Sequence, residues 1–333
     1  MSGNTRYIFS MGEVKRKDSS LVFKSEGKTV YLPIVGIREM FMMNEISINT
    51  KLLDFLSSNG VVTHFFTYYG TYSGTFYPRE KYLSGRLTVK QALAYVNQRD
   101  ILSKAFVNGI RLNAIELIQT RKKEKCDSIE NALLDLKYNI PRLMDQSDNI
   151  KSTLAVEGMI WAHIYKGLNQ FIDPEFISNK RVKRPPDNPL NAMISYGNSL
   201  IYAKTITQIY HTHLDQSISF LHEPSEGRFS LSLDIAEAFK LNVVIPVIIN
   251  MINKKMIQVE KHFERKVNYC YLNEEGRKKF TIELEKKLDS TFQHAKLNRR
   301  ISYNTAIKLE GYKLVKFLLE DEPFHPFTMK EMI

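Results

Sequence analysis

Hydrophobic and polar positions change rhythm once along this chain, near Pro78. Before it, short runs at residues 6–10, 20–24, 29–33 and 61–68 are rich in the β-branched and aromatic side chains that suit a pleated, half-buried surface. Gly12, Gly27, Gly60, Gly70 and Gly74 separate the runs as turn residues. One helix interrupts them over residues 49–58, with Asn49 or Thr50 as N-cap and Leu52, Leu53 and Leu56 turned inward. Beyond Pro78, apolar residues recur at spacings of three and four over 89–136, 150–168 and repeatedly over 190–319, which predicts helices. The pattern therefore predicts an α+β chain. A small β-sandwich-like domain occupies residues 1–80 and a larger all-α domain occupies 81–333.

Composition supports that division. With 333 residues, 43% of them hydrophobic, the chain can build more than one core. The formal charge of +11 suits a polyanionic partner. Residues 1–80 hold 9 Lys and Arg against 7 Asp and Glu, so most of the excess lies on the helical part, where a nucleic-acid surface is expected. Cys126 and Cys270 are far apart and lack a CxxC or Cys/His pattern, which argues against a disulfide framework or a zinc site. The N-terminal residues have no apolar signal segment. The longest apolar run, 241–252, is interrupted by Asn242, Pro246 and Asn250 and falls short of the ~20 residues of a membrane span. A cytoplasmic protein is the expectation.

Candidate chemistry concentrates in three segments of the helical part. In the first, residues 157–171, Glu157 begins a helix lined by Ile160, Trp161, Ile164 and Leu168; on this segment alone, a first-turn carboxylate favoured by the helix dipole is the leading account of it. In the second, residues 188–206, Asn188 and Pro189 resemble a helix start. Ala192, Ser195, Gly197 and Ser199 are small enough to admit a neighbouring helix, and the hydroxyls of Tyr196 and Tyr202 are candidates to face a site.

The third segment, residues 214–240, places His222 at an expected helix end. A turn follows, and then a new helix capped by Ser230 or Ser232. Asp234 and Glu237 share a face of that apolar helix, where two acids are costly unless something neutralises them. A divalent ion would do so, and an imidazole with carboxylates suits Mg(II) or Mn(II) better than softer metals. A capping or core histidine remains the alternative, and His211 with His213 competes as a ligand source. Basic runs recur, among them Arg121, Lys122, Lys123 and Lys125, and Lys180, Arg181, Lys183 and Arg184. The latter lie in SNKRVKRPPDNP, residues 178–189, whose prolines predict an exposed loop.

Taken together these segments resemble the CRISPR-associated protein one family, the metal-dependent integrases of CRISPR adaptation. The resemblance rests on LPIVGI at 32–37, the Glu-Gly pair at 157–158, NPLNAMISYGNSLIY at 188–202, FLHEPSEGRFSLSLDIAEAF at 220–239 and GYKLVKFLLEDEPFHPF at 311–327. One departure stands out: residues 213–222 read HLDQSISFLH where the family commonly has GLDPxxGFLH. The resemblance implies that Glu157, His222 and Glu237 are catalytic and hold Mg(II) or Mn(II), with Asp234 and Tyr202 behind them. Lys180, Arg181, Lys183, Arg184 and Arg228 become candidates for DNA contact.

The resemblance also implies a homodimer joined through the β-domains, and a hetero-hexamer with CRISPR-associated protein two. The DNA would be a duplex with single-stranded 3′ ends, inserted at the leader-repeat junction by attack of a 3′-hydroxyl on a phosphodiester. Two other readings are a metal-dependent nuclease that hydrolyses branched or single-stranded DNA in repair, and a DNA-binding scaffold without catalysis.

Overall fold

The computed structural model describes residues 5–79, 84–121, 127–178, 180–226 and 228–332. The N-terminal part contains strands β1 (Thr5–Ile8), β2 (Gly12–Lys17), β3 (Ser20–Ser25), β4 (Lys28–Pro33), β5 (Glu39–Met42) and β6 (Ile46–Ser47), helix α1 (Thr50–Ser58), and strands β7 (Val62–Phe66) and β8 (Tyr72–Phe76). They form two four-stranded sheets, ordered β1-β5-β7-β8 and β4-β3-β2-β6. In the first, β1, β5 and β7 run parallel and β8 returns antiparallel; in the second, the β2-β3-β4 meander takes β6 parallel to β2.

Strand β5 has no alternating pattern, and the structure gives the reason. Met40 and Met42 enter a core shared by both sheets and α1, while Phe41 and Met43 enter the core of the helical part. A strand covered on both faces reads as a continuous apolar run. In α1 the Asn49 side chain accepts from the Leu52 amide at 3.0 Å. Leu52, Phe55 and Leu56 are its buried residues, and Leu53 is only half-buried.

The helical part comprises α2 (Gly85–Asn97), α3 (Arg99–Arg121), α4 (Asp127–Leu134), α5 (Ile140–Asp145), α6 (Ile150–Phe171), α7 (Pro189–Tyr210), α8 (Ser230–Phe239), α9 (Ile245–Asn253), α10 (Val259–His262), α11 (Glu274–Asp289) and α12 (Tyr303–Glu320). It is not all-α. Hairpins β9 (Phe263–Lys266) with β10 (Tyr269–Leu272), and β11 (Thr291–His294) with β12 (Arg299–Ser302), lie between its last helices. Each strand has four residues, too few for a period of two to stand out beside long helical patterns. Cys270 is buried in β10, whereas Cys126 falls outside the described residues, as do Lys122, Lys123 and Lys125 of the first basic run.

Helix α7 is the axis of the fold, buried on nearly every side as a helix surrounded by protein must be. The small residues of its first half serve that packing: a Cβ on Gly197 would lie 2.5 Å from Val244 Cγ1 and 2.9 Å from Phe280 Cζ. Pro246 does not break the apolar run. A π turn over Lys240–Val244 joins α8 to α9 and puts Pro246 in the first turn of α9, where no helical amide bond is lost. The continuous stretch Ser230–Asn253 is long and apolar enough to cross a membrane, but 83% of its apolar window is buried inside the molecule.

A buried polar cluster pins the first sheet to α7 and α11. Lys204 Nζ lies 2.6 Å from Glu39 Oε1, 2.7 Å from Glu285 Oε1 and 3.0 Å from Thr5 Oγ1, and Tyr7 donates to Glu285 at 2.7 Å. An ammonium taken fully out of water needs such partners. Beside it, His64 of β7 bridges Thr75 and Thr207 at 2.8 Å each.

Candidate active site

Helix α6 begins at Ile150, not at Glu157. A capping box of Asn149 and Ser152 starts it, so Glu157 sits two turns inside, beyond the reach of a first-turn dipole explanation. Ile160, Ile164 and Leu168 fill the core below, while Glu157, Trp161 and Tyr165, at four-residue spacing, lie along one half-buried face.

His222 does not end a helix. Residues 211–226 form an irregular connection, and Asp234 of α8 organises it. The fully buried Asp234 carboxylate accepts the amides of Phe220, Leu221 and His222 at 2.6, 2.9 and 2.9 Å, and pairs with His222 Nδ1 at 2.8 Å. Burial opposes protonation of this imidazole, but the hydrogen bond and charge of Asp234 prevail and raise its pKa. Its other nitrogen, Nε2, lies 3.9 Å from Glu237 Oε1.

Neither Ser230 nor Ser232 caps α8. Ser230 donates to the Ser217 carbonyl and Ser232 to Gln216 Oε1, and Phe229 takes the N-cap position. The Phe229 amide donates to the Tyr202 hydroxyl at 3.0 Å, so Tyr202 holds the approach to α8 and does not touch the acids. Tyr196 turns the other way, to Thr281.

Glu237 is buried; its Oε1 pairs with Lys240, and among the described residues its Oε2 has no hydrogen-bond partner. Burial and the nearby Glu237 carboxylate push Glu157 up to about 7, against the pull of Lys240, His222 and a hydrogen bond from Trp161. Glu157, His222 and Glu237 thus share one electrostatic neighbourhood on α6, the irregular connection and α8. Among the described residues, no three acidic, histidine or cysteine side chains converge closely enough to enclose an ion as they stand. Lys240 holds Glu237 and Trp161 holds Glu157. The donor set of two carboxylates, one oriented imidazole and one orphaned buried oxygen nevertheless fits a hard divalent ion, with Lys240 standing in for its charge.

Of the basic candidates, Lys180, Lys183, Arg184 and Arg228 are exposed. Arg181 points inward: it donates to Ser195 Oγ at 2.9 Å and Asn191 Oδ1 at 3.3 Å, and its charge acts on the Tyr165 hydroxyl. His211 and His213 lie at the start of the irregular connection and, among the described residues, do not cluster with the acids. The sequence pattern does not single out Lys240 and reads Trp161 only as helix lining, although their spacings of three from Glu237 and four from Glu157 put them on the same helix faces.

Residues 6–286 match the family model of CRISPR associated protein Cas1. A CRISPR-associated endonuclease Cas1 from Clostridium perfringens is 42% identical over 97% of this chain and 98% of its own. A Cas1 protein from Thermotoga maritima, solved as a structure, superposes with a TM-score of 0.87 at 33% identity, covering 96% of this chain and 99% of that one. A casposase bound to integration product shares the fold, with a TM-score of 0.83 at 19% identity over 99% of this chain and 94% of its own. Fold and sequence thus define the class, a CRISPR-associated endonuclease. Within that class, the chain belongs to the Cas1 family.

Proposed function

We propose that the chain is a metal-dependent integrase of CRISPR adaptation that holds Mg(II) or Mn(II) through Glu157, His222 and Glu237. The observation that carries this reading is Glu237: a buried carboxylate with one orphaned oxygen and a lysine in place of a cation, facing His222 Nε2. When bound, the ion supplies Lewis acidity toward a phosphoryl oxygen and stabilises charge on the attacking and leaving oxygens of the exchange. The protein supplies the rest. Asp234 fixes the imidazole tautomer so that Nε2, not Nδ1, faces the acids. Lys240, released from Glu237, becomes free to pair with a phosphate.

The DNA substrate is a duplex with single-stranded 3′ ends, joined to leader-repeat DNA, and exposed Lys180, Lys183, Arg184 and Arg228 suit its backbone. Similar folds solved as a Cas6-RT-Cas1–Cas2 complex and as a Cas1–DNA complex agree with DNA and the small CRISPR-associated protein two as partners. We assign catalysis to residues 81–333 and homodimerisation to residues 1–80, where edge strand β4 presents Val30 and Tyr31 and the following turn presents Val35. The cytoplasm, where such DNA lies, is the proposed location.

The test is integration of a labelled fragment with CRISPR-associated protein two present, scored separately for joined and merely cleaved products. Glu157→Ala, His222→Ala and Glu237→Ala should each abolish joining while DNA binding survives. Joining by Glu157→Ala at the wild-type rate would falsify the assignment. Cleavage without joining by the unmodified protein would favour the hydrolytic reading.

A further inference from the structure

We infer that Trp161 and Tyr165 form a stacking site for an unpaired nucleobase of the DNA strand that enters the acid cluster, with Arg181 and Lys240 taking the flanking phosphates. The inference rests on the integrase reading for the identity of the strand and on independent geometry for the site.

The two rings stack with centroids 5.6 Å apart and planes 28° from parallel. Both rings rest on the helical core along one side and remain half-buried, while Ile160, Ile164 and Leu168 of the same helix fill the interior below. The ring pair begins at the chemistry: Trp161 follows Glu157 by about one helical turn, and Lys240 Nζ lies 5.9 Å from the centre of the Trp161 ring. At its far end Tyr165 feels the charge of Arg181, whose guanidinium is anchored by Ser195 and Asn191. Aromatic faces with a cation at each end are the arrangement by which proteins hold single strands without reading sequence. Bases inside a duplex already have both faces covered, so only an unpaired or frayed strand can use these rings. Such a contact would set the distance from the last ordered base to the scissile phosphate.

Trp161 is the only tryptophan in the chain, so its emission reports the contact directly. In EDTA, titration of the full-length protein with a short single-stranded DNA oligonucleotide should quench that emission saturably. An abasic strand of equal length should bind through its phosphates without quenching. Trp161→Ala should weaken oligonucleotide binding roughly tenfold, and Trp161→Phe should restore most of it.

Anisotropy-detected binding of the oligonucleotide with unchanged Trp161 emission overturns the inference, as does equal quenching by the abasic strand. The measurement needs no metal and no turnover, so the two readings fail separately. Joining without quenching would remove only the stacking site, and quenching that persists while Glu157→Ala still joins would remove only the metal assignment.

Discussion

Lys240 stands where the proposed ion would have to act. Its ammonium pairs with the buried Glu237 carboxylate, and a buried charge is costly without such a partner. Replacing it by methionine keeps the stem but strands the carboxylate, and Lys240→Met should lose about 3 kcal/mol in EDTA. Because an ion would no longer compete with the ammonium, millimolar Mn(II) should raise the melting temperature of Lys240→Met more than that of the wild type. Equal Mn(II)-induced shifts in the two proteins would mean that Glu237 is not where the ion binds. The acids and His222 were legible in the sequence because polar residues stand out on apolar segments. Lys240 was not, because a lysine among helical residues is usually a solvated one.

Among the elements, α7 depends most on small side chains. Its close approach to the π turn leaves no room at Gly197, and the facing Val244 is β-branched with little freedom to swing aside. Gly197→Ala gains helix propensity, which favours the variant by about 1 kcal/mol. Overpacking opposes this by roughly 1–3 kcal/mol and should prevail, lowering the midpoint of urea unfolding. A raised midpoint would show that the π turn yields instead. Segment patterns predicted this approach from the small residues alone. They failed at the π turn, where Pro246 read as a break, because continuity there depends on a one-residue widening of the helix that no hydrophobic period records. They failed also at residues 211–226, where the backbone is held by a distant carboxylate, Asp234, rather than by its own propensity.

For the whole molecule, the contact between the first sheet and α7 carries a proton linkage. His64 is buried there with its ring between Thr75 and Thr207, and its pKa falls to about 3. Burial is the main cause; the charge of Glu39 opposes it and that of Lys204 adds to it. An unfolded histidine titrates near 6.5, so between those values the unfolded chain holds a proton that the folded one refuses. Stability should therefore fall as pH drops through that window, by up to about 1.4 kcal/mol per pH unit from this residue. His64→Gln keeps a polar group between the threonines and should flatten the slope of unfolding free energy between about pH 4 and pH 6 by that amount. An unchanged slope would place the acid sensitivity elsewhere, for instance at the half-buried His211, whose pKa burial lowers to about 4.

By itself the sequence determined the change from strands to helices near Pro78, the basic helical part, the family motifs and the acids that stand out on apolar helices. These are local properties, carried by side-chain period and composition along a few turns of chain. Only the tertiary structure decided that β5 is covered on both faces, that two hairpins interrupt the helices, that Asp234 orients His222, and that Lys240 and Trp161 close on the acids. Each of these depends on which distant segments meet in a dry interior. There an uncompensated charge or an unpaired amide costs more than any local preference can supply.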